Sequence, residues 1–200
     1  MSVIQKIVQE IIDSGGTIHL AVHDGAFHID DVFSVALLKY YIESIGIKSY
    51  EKLNIIRTRE QEVYESCDLI FDVGNKSEDK YFDHHGKDFN ECYSCGVKYA
   101  TLGLVWRDLG PIIVGKSIGH DNSLINATFS VFENKFVIPV CARDNGQFQF
   151  TYTKEAEYPE ITLADSLKYL CNFKDDIEFE RAVDMVMMFI SGMLSHAYNI

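Results

Sequence analysis

Short runs of β-forming residues alternate along this chain with segments of helical periodicity, and ionisable residues stand at most of the junctions. Thr17 to Val22 (TIHLAV), Leu53 to Arg57 (LNIIR) and Asp68 to Val73 (DLIFDV) read as strands, and Tyr81 to His85 (YFDHH) as a strand end. Ser2 to Asp13 carries apolar residues at Val3, Ile4, Ile7, Val8, Ile11 and Ile12, the spacing of a one-sided helix, and Gly15-Gly16 closes it. Asp31 to Ser44 returns to helical spacing, with Asp30 and Asp31 at its first turn, where acids are favoured. Lys98 to Leu109 predicts a helix stopped at Gly110-Pro111. Leu163 to Asn172 and Asp176 to His196 predict two closing helices, with the Met185–Met188 run in the core. Leu124 to Ala142 is long and apolar enough for a helix, yet Pro139 would disturb one in mid-course. Strands alternating with helices predict an α/β fold, a largely parallel sheet flanked by helices, as one domain over residues 1–200.

Composition narrows the class. Hydrophobic residues make up 47% of the 200, enough for a real core without staples. The net charge of -12 repels a nucleic-acid backbone on average and favours small or short anionic substrates over long polymers. Part of that acid can belong to a cation site, because metal ligands count as negative until the metal arrives. The five cysteines are an odd number, and with no recognisable signal peptide they point to a cytoplasmic protein. Cys92-Tyr93-Ser94-Cys95 is a lone CxxC, read most simply as two thiols in a loop, with half a zinc site or a redox pair as the alternative. No run approaches the roughly 20 apolar residues that span a membrane.

Four clusters could carry chemistry. His23-Asp24-Gly25-Ala26-Phe27-His28-Ile29-Asp30-Asp31 holds two imidazoles and several carboxylates between a strand and a helix. That donor mixture suits Mn²⁺, Zn²⁺ or Fe²⁺, and the helix start favours a nearby phosphate. A capped helix with surface histidines is the plainer reading. Asp72 ends an apolar strand, where a carboxylate needs a cation, a cap or a lysine. Asp83-His84-His85 sets two of the chain's seven histidines side by side. Ala142-Arg143-Asp144-Asn145-Gly146 reads alone as a turn. His19 lies within a strand and is expected to be buried and hydrogen-bonded, while His120 and His196 are expected at the surface.

Taken in order, these pieces resemble the DHH phosphoesterase superfamily, and within it most closely the melanocyte-proliferating-gene family. The family's opening H-[ND]-G-x-F-H-x-D-[DE] is similar to His23–Asp31, and its I-V-R-T-R to Ile56-Arg57-Thr58-Arg59. Its C-D-[IV]-V-V-D-V-G is similar to Cys67–Gly74, its Y-D-H-H to Tyr81–His85, and its I-D-N-G to Asp144-Asn145-Gly146. Leu102-Gly103-Leu104-Val105-Trp106 stands where the family has S-A-G-L-[VI]-[WY].

The resemblance implies a parallel sheet with the motifs at its strand ends, and a centre for two ions, Mn²⁺ or Mg²⁺. His23, His28 and Asp30 would ligate one metal, Asp72 would bridge, and His84 and Asp144 would serve the second. His85 would face the scissile phosphate as acid or electrostatic stabiliser. Arg143, beside Asp144, could clamp phosphate, although a surface ion pair is the simpler expectation. The expected activity is two-metal hydrolysis of a phosphodiester or phosphoanhydride in a short single-stranded oligonucleotide, as an exonuclease would act, or in a small nucleotide. Longer relatives carry a C-terminal substrate-binding domain that this chain is expected to lack, leaving a cleft that is open or completed by a second copy. The alternative is a non-catalytic nucleotide- or metal-binding module that keeps the site.

Overall fold

The computed structural model describes residues 1–119, 121–147, 162–170 and 174–199, so His120 and Cys171 lie outside the described residues. Helix α1 (Val3–Asp13) leads into strand β1 (Ile18–Val22), helix α2 (Ile29–Ser44) and the short helix α3 (Ser49–Lys52). Strand β2 (Leu53–Arg57), helix α4 (Gln61–Glu65), strand β3 (Leu69–Phe71) and strand β4 (Tyr81–Phe82) follow. Helix α5 (Thr101–Ile118), helix α6 (Asn122–Phe132), a π-helical turn (Glu133–Val137) and helix α7 (Ile138–Asp144) come next, then α8 (Leu163–Leu170) and α9 (Asp176–Tyr198).

The strands form one parallel sheet in the order β2-β1-β3-β4. Ile18 pairs with Leu53 and Leu20 with Leu69, which brings the C-terminal ends of β1, β2 and β3 to one edge. The expected α/β fold with a parallel, helix-flanked sheet is the fold observed.

Helix α2 is the centre of the packing. Asp30 through Leu38, Tyr41 and Ile42 are all buried, so this helix is covered on nearly every side, by the sheet, α5 and α9. Trp106 of α5 stacks on Phe129 and Phe132 at ring-centroid separations of 5.0 and 4.4 Å. Helix α1 starts with a capping box in which Ser2 Oγ accepts from the Gln5 N–H and the Gln5 side chain accepts from the Ser2 N–H. The Asp108 carboxylate of α5 accepts from the Val3 and Ile4 N–H groups as well, so the first helix is docked by its own unpaired donors.

Several expectations fail for local reasons. Helix α5 continues through Gly110-Pro111 to Ile118 instead of stopping there. Pro111 and Arg107 are both on the exposed side of the helix, and buried Ile113 and Val114 hold the last turns in the core. The stretch from Leu124 to Ala142 is neither one helix nor a loop. The π turn interrupts it just before Pro139, which then occupies the first turn of α7, where a missing N–H costs nothing. His19 is exposed, its Nδ1 3.4 Å from Asp68, because its side of β1 is covered only by a small cluster of Ala21, Cys67, Ile70 and Val73. In the methionine run Val186 is fully buried, Met185 and Met187 pack against the core, and Met188 is exposed. His196 is exposed as expected.

Candidate metal centre

Each strand delivers a functional side chain just past its C-terminal end, the edge at which open parallel sheets gather ligands. His23 follows β1, Asp72 follows β3, and Asp83, His84 and His85 follow β4. Beyond β2, Thr58 donates its N–H to the Val22 carbonyl, holding the next residue, Arg59, beside His23.

Asp72 turns sharply away from its strand, with φ at +55°. That left-handed conformation is uncommon outside glycine and is tolerated best by Asp and Asn. It is locked by the Asp72 N–H donating to the Phe82 carbonyl at 3.1 Å and by Thr101 Oγ1 donating to Asp72 Oδ1 at 3.0 Å. The two carboxylate oxygens then face different imidazoles. Oδ2 is 3.4 Å from His23 Nε2, whereas Oδ1 is 3.6 Å from His84 Nε2 and 3.6 Å from His85 Nδ1.

His23 is buried, with Nε2 2.8 Å from Asp31 Oδ2. Its Nδ1 faces the Asp24 carbonyl at 2.9 Å, and donating a proton there would leave Nε2 as the atom able to ligate a metal. Burial opposes a charge on this ring, but Asp31 and Asp72 beside it overcome that and raise its pKa to about 10. His28 is the exposed N-cap of α2, and its N–H donates to Asp31 Oδ1 at 3.1 Å. His84 Nε2 lies 3.1 Å from Asp144 Oδ2, at the end of α7. His85 Nδ1 is 2.8 Å from Asp83 Oδ1, and that carboxylate raises the His85 pKa against the effect of partial burial.

Asp30 is the most telling group. It is fully buried, with the Asp72, Asp144 and Asp31 carboxylates as its charged neighbours. Burial, followed by the charges of Asp72, Asp144 and Asp31, drives its pKa well above the usual carboxylate range. His23 Nε2, His84 Nε2 and Asp31 Oδ2 are likewise buried, with His23 Nε2 facing Asp31 and Asp72 and His84 Nε2 facing Asp144 and Asp72. Buried polar atoms are ordinarily satisfied, so this cluster of imidazoles and carboxylates is one that could hold a metal ion.

Three groups of side chains present donor atoms within 4.8 Å of one another: His23, His28 and Asp72; Asp72, His84 and His85; and His28, Asp30 and Asp144. Asp72 belongs to two of these groups, as does His28. Imidazole and carboxylate together fit a divalent first-row metal such as Mn²⁺. His23, His28, Asp30, Asp72, His84, His85 and Asp144 therefore converge from four separate stretches of chain. Asp30 shares its donor group with His28 and Asp144, and His28 in turn shares one with His23 and Asp72. Arg143 is exposed and does not line the cavity beside the centre. Arg59 does, together with His23, His28, Asp72, Asp83 and His85, around a volume of about 220 Å³.

Four residues at the centre have no role in the sequence reading. Asp31 and Arg59 stand inside motifs that were visible, and Asp83 in the YFDHH run, so proximity in sequence could have found them. Thr101 had no such signal, since only the docking of α5 brings it to Asp72.

A family model, MYG1_exonuc, described as "Uncharacterised protein family (UPF0160)", matches residues 19–199. The chain belongs to this family. Among relatives, a protein named MYG1 exonuclease from Homo sapiens is 29% identical over 184 residues, covering 84% of this chain and 47% of the relative. The MYG1 exonuclease of Rattus norvegicus is 30% identical over 185 residues, with the same 84% and 47% coverage. A MYG1 protein of Schizosaccharomyces pombe is 30% identical over 137 residues, covering 64% of this chain and 40% of the relative. The chain thus spans less than half the length of these MYG1 relatives. No solved structure gives a significant match. Among the described residues no helix is long and apolar enough to cross a membrane.

Proposed function

We propose that this chain is a divalent-metal-dependent phosphoesterase that hydrolyses a phosphodiester or phosphoanhydride bond by a two-metal mechanism. The observation that carries the reading is Asp72, whose two oxygens face His23 on one side and His84 with His85 on the other. A carboxylate so placed is suited to bridge two cations. The names of the MYG1 exonuclease relatives and the ordered resemblance to DHH phosphoesterases support the same reading.

His23, His28 and Asp72 would hold one ion, and Asp72, His84 and Asp144 the other, with Asp30 adding buried negative charge behind both. The imidazole-rich donor set favours Mn²⁺ over Mg²⁺, which prefers oxygen ligands. Two bound cations supply Lewis acidity, lowering the pKa of a water and neutralising charge on phosphoryl oxygens. His85 lines the cavity, and Asp83 orients its ring through Nδ1, so His85 would serve as a proton or hydrogen-bond donor to the departing oxygen. The substrate is a short single-stranded oligonucleotide or a small nucleotide, in keeping with the net charge of -12. Free thiols at Cys67, Cys92, Cys95 and Cys141 suit a reducing cytoplasm.

The test is equilibrium dialysis with Mn²⁺ and Mg²⁺, alongside assays on short RNA, short DNA and dinucleotides. Two ions per chain and Mn²⁺-dependent cleavage are expected, both lost in Asp72→Asn. Cleavage that persists unchanged in Asp72→Asn, or a chain that takes up no divalent ion, removes the proposal.

A further inference from the structure

Three arginines bear on the centre, and their situations differ sharply. The Arg57 side chain is only 2% exposed. Its Nη1 donates to Asp176 Oδ1 at 2.8 Å and its Nη2 to the Gly25 carbonyl at 2.6 Å, while its guanidinium rests against Phe27 and Phe179. That residue is committed to joining β2, the His23–His28 loop and α9. Arg143 is exposed and stands off the cavity wall. Arg59 lines the cavity with His85, and among the described residues it is the one lysine or arginine that does.

Arg59 is also weakly held. Its Nε lies 3.2 Å from Asp24 Oδ1, with the two side chains 62% and 53% exposed. Its Nη2 stands 3.5 Å from the Asp24 carbonyl and 3.1 Å from His23 Nδ1. An ion pair as exposed as this one contributes about 0–1 kcal/mol, so an arriving anion can displace the carboxylate at little cost. A guanidinium presents a planar fork of donors matched to two oxygens of a phosphate. The cavity, at about 220 Å³, is smaller than the roughly 300–1,000 Å³ of sites that enclose a whole drug-sized ligand. It has room for the reacting phosphate group, with the remainder of a nucleotide outside.

We propose that Arg59 recognises the non-bridging oxygens of the substrate phosphate, and that Asp24 holds it at the cavity mouth until that anion arrives. The inference deepens the phosphoesterase reading and rests on it for the identity of the anion. The Arg59 contact is to the phosphate and not to the base, so by itself it would not distinguish nucleobases. Asp24 acts as a competitor, and its removal strengthens anion binding.

The experiment is calorimetric titration of inorganic phosphate into the Mn²⁺-loaded full chain, for wild type, Arg59→Met, Arg59→Lys and Asp24→Asn, with Mn²⁺ uptake measured for each. Arg59→Met keeps the apolar stem of the side chain, so packing is preserved. Phosphate affinity is expected to fall about tenfold or more in Arg59→Met, to be partly restored in Arg59→Lys, and to rise a few-fold in Asp24→Asn, with Mn²⁺ uptake unaltered. Phosphate affinity that ignores Arg59, or a wild type that binds no phosphate, overturns the inference. So does a joint loss of phosphate and Mn²⁺ in Arg59→Met, which would make Arg59 a prop for His23. A wild type that hydrolyses nothing yet binds phosphate through Arg59 removes the hydrolase reading alone. An active enzyme whose phosphate affinity is independent of Arg59 removes this inference alone.

Discussion

Thr101, the first residue of α5, donates its hydroxyl to Asp72 Oδ1 at 3.0 Å, and so ties the start of a long core helix to the carboxylate between the two imidazole sets. Both residues are buried. Thr101→Val removes the donor with little change of shape and leaves a buried carboxylate oxygen without it. The expected cost is about 1.5–3 kcal/mol in denaturant unfolding of the metal-free protein, with weaker Mn²⁺ uptake. Thr101→Ser is expected to keep both near wild type.

Asp30 sets stability against function. A buried carboxylate facing three others is unfavourable in the metal-free fold, and its raised pKa means that its contribution to stability is lost as pH rises above the ordinary carboxyl value. Asp30→Asn is therefore expected to stabilise the metal-free protein at neutral pH by about 1–3 kcal/mol, the scale of an unsatisfied buried group. Mn²⁺ is expected to raise the melting temperature of the wild type, and the same variant is expected to lose most of that upshift. Melting curves with and without Mn²⁺ read both effects, and a less stable metal-free variant would count against the electrostatic account.

A metal bound at His23 would compete with a proton. Its folded pKa, raised from 6.5 to about 10, makes the charged ring stabilising below pH 6.5, and that stabilisation disappears as pH climbs through about 10. An ion at Nε2 must displace this proton, so Mn²⁺ affinity is expected to increase about tenfold per pH unit for each proton released. Titrations in two buffers of different ionisation heat between pH 6 and 8 count the protons. No release, and no dependence of affinity on pH, would place the ion away from His23.

Gly103 leaves no room for a side chain. A Cβ there would stand 2.6 Å from Tyr93 Oη, 2.7 Å from Tyr99 Cδ1 and 3.0 Å from Cys141 Sγ. Alanine favours a helix by about 1 kcal/mol over glycine, but overpacking a tight core costs about 1–3 kcal/mol, so Gly103→Ala is expected to destabilise on balance. Cys141 lies in α7 three residues before Asp144, and a shifted α7 is expected to weaken metal uptake too. Equal or greater stability in the variant would show that Tyr93 and Tyr99 yield without strain.

Much of this was legible in the sequence because it is local. The strands announce themselves by β-branched runs, and the acids and histidines that follow them sit where parallel sheets present ligands. Pattern could not say which donor meets which. Asp30 shares a donor group with Asp144, far along the chain, as well as with nearby His28. Helix α5 overran its glycine–proline signal because core contacts beyond Pro111 outweigh the one hydrogen bond that a proline removes. His19 reads as an interior strand residue only if both faces of the sheet are thickly covered, and the face it occupies is not. Arg143 drew notice by standing beside Asp144, whereas Arg59 reaches the cavity through the end of a different strand.

The parallel order of the sheet has a temporal consequence. Residues 23 and 144 belong to one centre, and every neighbouring pair of strands is joined by a crossover and not by a hairpin. Long-range pairings of this sort close slowly, after shorter-range structure has formed. The centre is complete only when β1, β3, β4 and α7 have all come together, so uptake of a divalent ion would report that the whole circuit from β1 to α7 has closed.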